Sequence, residues 1–176
     1  MGLIRKAKMC DVPQIQNIIE SFAKRGEMLP RSLLELYENL RDFFVYEENS
    51  QGTVGVCSLH FGWENLAEIR SLAVKDTFQN RGIGAKLVRV CISEARAFGI
   101  RRIFSLTYKP EYFLKFGFKS IEKELLPQKI WSDCMRCPEF PKCNEVAISL
   151  DLERPFIEDA YQIPLITAGN NEKQDN

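Results

Sequence analysis

The chemistry this 176-residue chain could offer begins with a glycine turn, Gln79-Asn80-Arg81-Gly82-Ile83-Gly84, which follows a strand-like run and opens an amphipathic helix. Glycines let a backbone approach a ligand closely, and the free N–H groups of a helix start point toward an anion such as phosphate. Arg81, Lys86 and Arg89 would add positive charge nearby. The plain alternative is a tight connection with no ligand. Two other nucleotide signatures are missing: there is no lysine-bearing P-loop, and Leu87 stands where a dinucleotide fingerprint has its third glycine.

Cys134-x-x-Cys137-x-x-x-x-x-Cys143 supplies soft ligands in a loop that also holds Pro138, Pro141 and Lys142. Zinc or an iron–sulfur cluster usually wants four ligands. His60 is distant in sequence and Asp133 would be an unusual completion, so the reading is reduced thiols ordering a loop, with no metal required. Cys10, Cys57 and Cys91 sit in apolar patterns and read as packing residues. His60, the single histidine, ends a strand and is assigned no catalytic role. Trp63 and Trp131 either line a pocket or pack the core and loops.

These residues must be positioned by one ordinary domain, which is what the length and a 45% hydrophobic fraction allow. Lys plus Arg (24) balance Asp plus Glu (24), so no global field argues for nucleic acid or an anionic membrane. No apolar run reaches the roughly 20 residues that span a bilayer. Met1-Gly2-Leu3-Ile4-Arg5-Lys6 lacks the apolar stretch of a signal peptide, which makes the cytoplasm the default and thiols the expected state of the cysteines.

Leu3 to Ala7 reads as a strand. Asp11 offers an N-cap and Pro13 a first turn for a helix whose Ile15, Ile18, Ile19 and Phe22 share a face. Ser32 and Glu35 have capping-box spacing for a second helix carrying Leu33, Leu34, Leu36, Tyr37 and Leu40. Phe43 to Glu47 and Thr53 to Leu59 form a hairpin around Asn49-Ser50-Gln51-Gly52. Ala67 to Val74 is the strand before the glycine turn, and Gly82 to Phe98 the helix after it, with Leu87, Val90, Cys91, Glu94 and Ala95 at helical spacing and Gly99 at its stop. Ile103 to Leu106, a short aromatic helix from Tyr112 to Phe116, and strands at Phe118 to Ile121 and Glu145 to Leu152 complete an α/β domain around one sheet. That domain covers residues 1–152, with the cysteine-bearing loop at 122–144. Residues 153–176 form an extension, polar and expected to be disordered from about residue 168, and the tail after Leu152 could pack across a homodimer.

Leu72-Ala73-Val74, then Gln79-x-x-Gly82-x-Gly84, then Tyr112-Phe113-x-x-x-Gly117-Phe118 at this spacing resembles the GNAT acetyltransferase superfamily over roughly residues 3 to 151. The resemblance implies a mixed central sheet with a splayed pair of parallel strands, flanked by helices, and acetyl-CoA as cosubstrate. Leu72, Ala73 and Val74 would run beside the pantetheine arm. Residues 79–86, namely Gln79, Asn80, Arg81, Gly82, Ile83, Gly84, Ala85 and Lys86, would hold the pyrophosphate. Glu68-Ile69-Arg70-Ser71, Phe104-Ser105-Leu106-Thr107, Phe116-Gly117-Phe118, Leu126-Pro127, Met28-Leu29-Pro30-Arg31-Ser32 and Phe43-Phe44-Val45-Tyr46 are similar to the acetyltransferase domain of the N-acetylglutamate synthases. No amino-acid-kinase-like domain precedes it, so the expectation is a short stand-alone form.

Acetyl transfer needs an unprotonated amine held against a thioester carbonyl, a base for the ammonium proton, and donors for the oxygen and the leaving thiolate. Glu68 matches the family's base position; its alternative role is a surface carboxylate paired with Arg70, two residues on and on the same side of a strand. The backbone N–H near Leu72 would serve the oxygen. Thr107 matches the synthases' hydroxyl to the thiolate, with Tyr112 and Tyr108 as rivals. Arg31 aligns with a substrate arginine that grips carboxylate, with Lys129 as a second cation and Ser71 and Leu106 as further contacts. Glu68 and Ser71 are three apart and would face opposite sides of a regular strand, so a β-bulge is expected between them. The acceptor implied is the α-amine of L-glutamate, the reaction that opens arginine biosynthesis. Alternatives are another amino acid, a small amine, a protein N-terminus, or a non-catalytic acyl-CoA-binding module.

Overall fold

The computed structural model describes residues 2–126 and 143–153. Pro127, Lys129, Trp131, Asp133, Cys134, Cys137 and the extension from residue 154 lie outside the described residues, and with them the expectations about a second cation, the cysteine loop and the tail. Among the described residues no helix is long and apolar enough to cross a membrane.

The chain order is β1 (Leu3–Lys6), α1 (Val12–Ala23), α2 (Leu33–Glu38), β2 (Phe43–Glu48), β3 (Gly52–Trp63), β4 (Leu66–Val74), α3 (Ile83–Ala97), β5 (Arg102–Thr107), α4 (Pro110–Leu114), β6 (Lys119–Ser120) and β7 (Val146–Asp151). The strands form one mixed sheet in the order β1-β2-β3-β4-β5-β7-β6, in which only β4 and β5 run parallel. α3 covers one face, burying Ile83, Leu87, Val88, Cys91, Ile92 and Ala95 against Val54, Cys57, Leu59 and Ile69. Ile15, Ile18, Ile19 and Phe22 of α1 cover the other face, against Phe43, Val45, Val56 and Ala73. Each such side chain removed from water contributes about 1.5–3 kcal/mol, which is how a 3.6-residue period becomes a packed layer.

The capping box forms: Ser32 Oγ accepts from the Glu35 N–H at 3.2 Å, and Glu35 Oε2 accepts from the Ser32 N–H at 2.8 Å. Other expectations are corrected. α2 ends at Glu38 and buries only Leu36, leaving Leu33, Leu34 and Tyr37 exposed, while Leu40 is buried from a 3₁₀ turn, Leu40–Asp42. Asp11 precedes α1 but does not cap it. Its carboxylate instead accepts from Arg5 at 2.6 and 3.0 Å and from the Lys8 N–H at 2.7 Å. Burial pushes that carboxyl upward, yet the bonds from Arg5 and Lys8 outweigh burial and hold it below its ordinary range. Cys10 is exposed, because it stands in a 3₁₀ turn ahead of the apolar face of α1. Cys57 and Cys91 are packing residues as expected, in contact at 3.5 Å; the Cys57 contact and burial push the Cys91 thiol well up, keeping it protonated.

Two irregularities in β4 shape the molecule. The parallel ladder pairs Leu66, Ala67 and Glu68 with Arg102, Ile103 and Phe104, and both strands then continue beyond it, so they splay apart. On its other side, β4 pairs Arg70 with Ser58 but Ala73 with Val56, fitting one extra residue into β4 opposite Cys57. Ser71 absorbs it with φ +54°. The bulge thus falls at Ser71 and Leu72, after Arg70, whereas the sequence reading expected it between Glu68 and Ser71; the ladder stays regular over that stretch up to Arg70. The bulge turns Ile69 toward the α3 core and Ala73 toward the α1 core, although residues four apart on a regular strand share a face. Glu68 and Arg70, two apart in the regular part of the ladder, share one face.

Candidate active site

Where β4 and β5 diverge, a cleft of about 940 Å³ opens between them. Ile69 to Val74 line one side and Ser105, Leu106 and Thr107 the other; Asn80, Gly82, Ile83, Gly84 and Ala85 close one end. The volume is in the range of small-molecule sites.

The glycine turn is built for a close approach. Gly82 precedes α3 with φ +76°, a conformation that L side chains resist, and Asn80 has φ +59°. At Gly84 a β-carbon would stand 2.6 Å from the Tyr112 hydroxyl, so nothing larger than glycine fits without a shift. Gln79 braces the turn by donating to the Val74 carbonyl at 3.1 Å and to Asp76 at 2.9 Å. The start of a 15-residue helix, bared of side chains, suits a pyrophosphate. Arg81 and Lys86, read from the sequence as added charge here, do not line the cleft. Arg81 donates to the Thr77 carbonyl at 2.9 Å over the Phe78 ring, and Lys86 lies over the Tyr46 ring. Arg89 lies over Phe116. Aromatic neighbours brought by the fold hold all of them, so the backbone N–H groups of the turn are what it presents to the cleft.

Glu68 lines the cleft beside Arg70, whose Nη1 is 3.6 Å from Glu68 Oε2. The ion pair and the cleft position thus occur together. Thr107 ends β5, and its Oγ1 accepts the Lys109 N–H at 3.1 Å, which fixes the oxygen and leaves its own proton to donate. Tyr112 sits at the same end against Gly84, half-buried; burial and, less strongly, Cys57 raise its phenol above the ordinary value, with Arg89 opposing, so it keeps its proton at neutral pH.

Arg31, Ser71 and Leu106 all line the cleft. Arg31 arrives on the segment between α1 and α2, with Met28, Leu29 and Pro30, and pairs loosely with Glu35 at 3.6 Å. Lys109 reaches across to Glu27 at 2.7 Å, and Arg25 joins Glu27 to Asp76 at 2.5 and 3.4 Å, tying the rim together.

The sequence reading placed His60 at the end of a strand. β3 runs on to Trp63, so His60 lies inside the strand rather than at its end. It pairs directly across the ladder with Glu68, lines the cleft, and its Nδ1 is 2.6 Å from Asp42 Oδ2. The signal available was the short turn at Glu64-Asn65, since counting back along both strands from it sets His60 opposite Glu68.

The family model described as "Acetyltransferase (GNAT) family" matches residues 12–118. The chain is similar to an uncharacterized N-acetyltransferase of Chlorobaculum tepidum, 42% identical with 82% of this chain and 93% of that one covered. It is also similar to an amino-acid acetyltransferase of Mycobacterium tuberculosis, 32% identical with 76% and 78% covered. Among solved structures, the N-acetylglutamate synthase of Neisseria gonorrhoeae with coenzyme A and N-acetyl-glutamate superposes with a TM-score of 0.79 at 28% identity, covering 88% of this chain and 36% of the synthase. The chain thus spans about a third of that larger protein. With a glycine turn, splayed parallel strands and a family match over most of the described fold, the chain belongs to the GNAT family of acetyltransferases.

Proposed function

We propose that this protein transfers the acetyl group of acetyl-CoA to the α-amine of L-glutamate by direct attack in a ternary complex. The observation that carries the reading is the cleft opened by the splayed β4 and β5, which Glu68, Arg70, Ser71 and Arg31 all line. Acetyl-CoA, when bound, supplies the reactive thioester. The N–H groups following Gly82 hold its pyrophosphate, and the backbone of Leu72 and Val74 takes the pantetheine arm where β5 has turned away. Glu68 receives the ammonium proton, directly or through water. The Thr107 hydroxyl donates to the departing sulfur, with Tyr112 as the second donor at that end. Arg31 exchanges its loose contact with Glu35 for a substrate carboxylate. The amino-acid acetyltransferase name of the mycobacterial relative and the N-acetyl-glutamate bound by the gonococcal synthase support glutamate as the acceptor.

A second reading keeps the reaction and changes the acceptor. Among the described residues lining the cleft, Arg31, Arg70 and Lys109 each contact a carboxylate and Lys115 lies over the Tyr112 ring, so part of the positive charge is already matched, and this favours an amino acid with an uncharged side chain. Thiol release measured with acetyl-CoA and a panel of amino acids separates the two. Glutamate is expected to give the highest kcat/KM. Turnover of another amine with none of glutamate reassigns the acceptor, and coenzyme binding without turnover of any amine leaves a binding module.

A further inference from the structure

We infer that His60, oriented by Asp42, is a positioning residue for the base: it takes the proton that Glu68 removes from the acceptor and returns it to solvent. The inference rests on the acetyl-transfer reading above. In that reaction a C–N bond forms, the C–S bond breaks and its electron pair leaves on sulfur. The acceptor nitrogen begins as an ammonium with three protons and ends as an amide with one. Of the two protons it sheds, one ends on sulfur and the other must reach water before Glu68 can act again.

Glu68 is poorly placed to deliver that proton itself, because its side chain is only 17% exposed and lies against Arg70. His60 stands directly opposite it in the antiparallel ladder, so the two side chains are neighbours on one face, with β-carbons about 4.5–5.5 Å apart. Its side chain is 34% exposed and lines the cleft, while Asp42 does not line it. A carboxylate can only accept, so Nδ1–H donates to Asp42 and Nε2 is left as the basic atom of the neutral ring. Asp42 closes a 3₁₀ turn just before β2 and so holds the imidazole from behind. Charged residues that line the same cleft include Glu68 and Arg70 on β4, Arg31 and Glu35 on the α2 side, Lys109 and Lys115 at the β5 end, and Glu145 ahead of β7. If the Asp42–His60 contact served only to tie the turn to the sheet, the ring would have no reason to face the cleft beside the base.

The test uses the full chain, saturating acetyl-CoA and whichever amine is turned over fastest, so that a wrong acceptor assignment does not touch it. His60→Gln is expected to lower kcat at least tenfold at neutral pH with acetyl-CoA affinity within twofold. In His60→Ala, added imidazole is expected to restore kcat at least fivefold. Asp42→Asn replaces the carboxylate that holds Nδ1–H and orients the ring, so its kcat is expected to fall at least threefold with acetyl-CoA affinity within twofold. A purely structural tie would lower the unfolding temperature and leave kcat of the folded variants unchanged. The inference is overturned if kcat of His60→Gln or of folded Asp42→Asn stays within twofold of the parent, or if folded His60→Ala ignores imidazole. A parent chain that acetylates no amine removes this inference and the acetyl-transfer reading together.

Discussion

The Tyr112 hydroxyl occupies the space a side chain at Gly84 would need, 2.6 Å from the position of a β-carbon there. α4 and the phosphate-side turn are therefore fitted to each other, and a candidate donor to the thiolate is set by the same contact that keeps the turn bare. Gly84→Ala is expected to weaken acetyl-CoA binding about tenfold, or ~1.4 kcal/mol. The next atoms are 3.6 Å and 3.8 Å away, which is ordinary contact, so adding Tyr112→Phe in the same chain is expected to recover most of that affinity. Calorimetric titration of coenzyme A into both variants checks this; a double variant no better than Gly84→Ala alone disproves the steric account.

Glu68→Gln keeps the shape of the side chain and removes its ability to take a proton. Arg70 retains its Asp42 contact at 4.0 Å, so the wall of the cleft is expected to stand. Loss of a positioned base lowers rates by about 10²-fold or more. The expected result is that drop in kcat, with coenzyme affinity unchanged, in steady-state kinetics and titration side by side. Equal losses in both would assign Glu68 to binding instead.

Local chemistry made part of this legible from the residues. The Ser32–Glu35 capping box, the glycine turn and the buried stripe of α3 each depend on residues a few positions apart, and each formed as the spacing required. The bulge was legible only in part: the sequence reading called for one between Glu68 and Ser71, but the ladder stays regular through Arg70 and the extra residue is taken up at Ser71 and Leu72. His60 with Asp42, and Lys86 over Tyr46, are contacts between distant segments, and no spacing within one element announces them. Asp11 shows the converse. Its capping position was readable, but Arg5 competes for the same carboxylate with two charge-assisted bonds and wins.

Ser71 holds φ +54°, where a β-branched residue is strained by about 1–3 kcal/mol and glycine is not. Ser71→Val is expected to lower the unfolding temperature by roughly 4–8 °C, and Ser71→Gly to leave it unchanged or raise it. Ser71→Gly also removes a hydroxyl from the cleft and so is expected to raise KM for the amine while sparing that for acetyl-CoA. Thermal unfolding with both variants tests the first part. A Val variant as stable as the parent would mean that the bulge relocates.

Asp11 links acid stability to the β1–α1 corner. Its folded carboxyl titrates below its unfolded value, so its contribution is complete above the unfolded value and is lost as pH falls through the folded one. The carboxylate is 6% exposed and receives bonds from Arg5 and Lys8, and charge-assisted hydrogen bonds of this kind contribute about 1.5–3 kcal/mol. Asp11→Asn is therefore expected to cost about 2 kcal/mol at neutral pH, since Arg5 loses one of its two carboxylate partners and keeps Glu47 at 2.7 Å. The gap between parent and variant should close as pH falls below the ordinary carboxylate range. Glu27, lowered mainly by Lys109 and then Arg25, and Glu35, which burial raises but Ser32 and Arg31 lower further, still titrate in the variant. Some acid dependence should therefore persist. Urea unfolding of both chains across that range measures the difference directly, and a gap constant with pH would show that the substitution removes packing rather than charge.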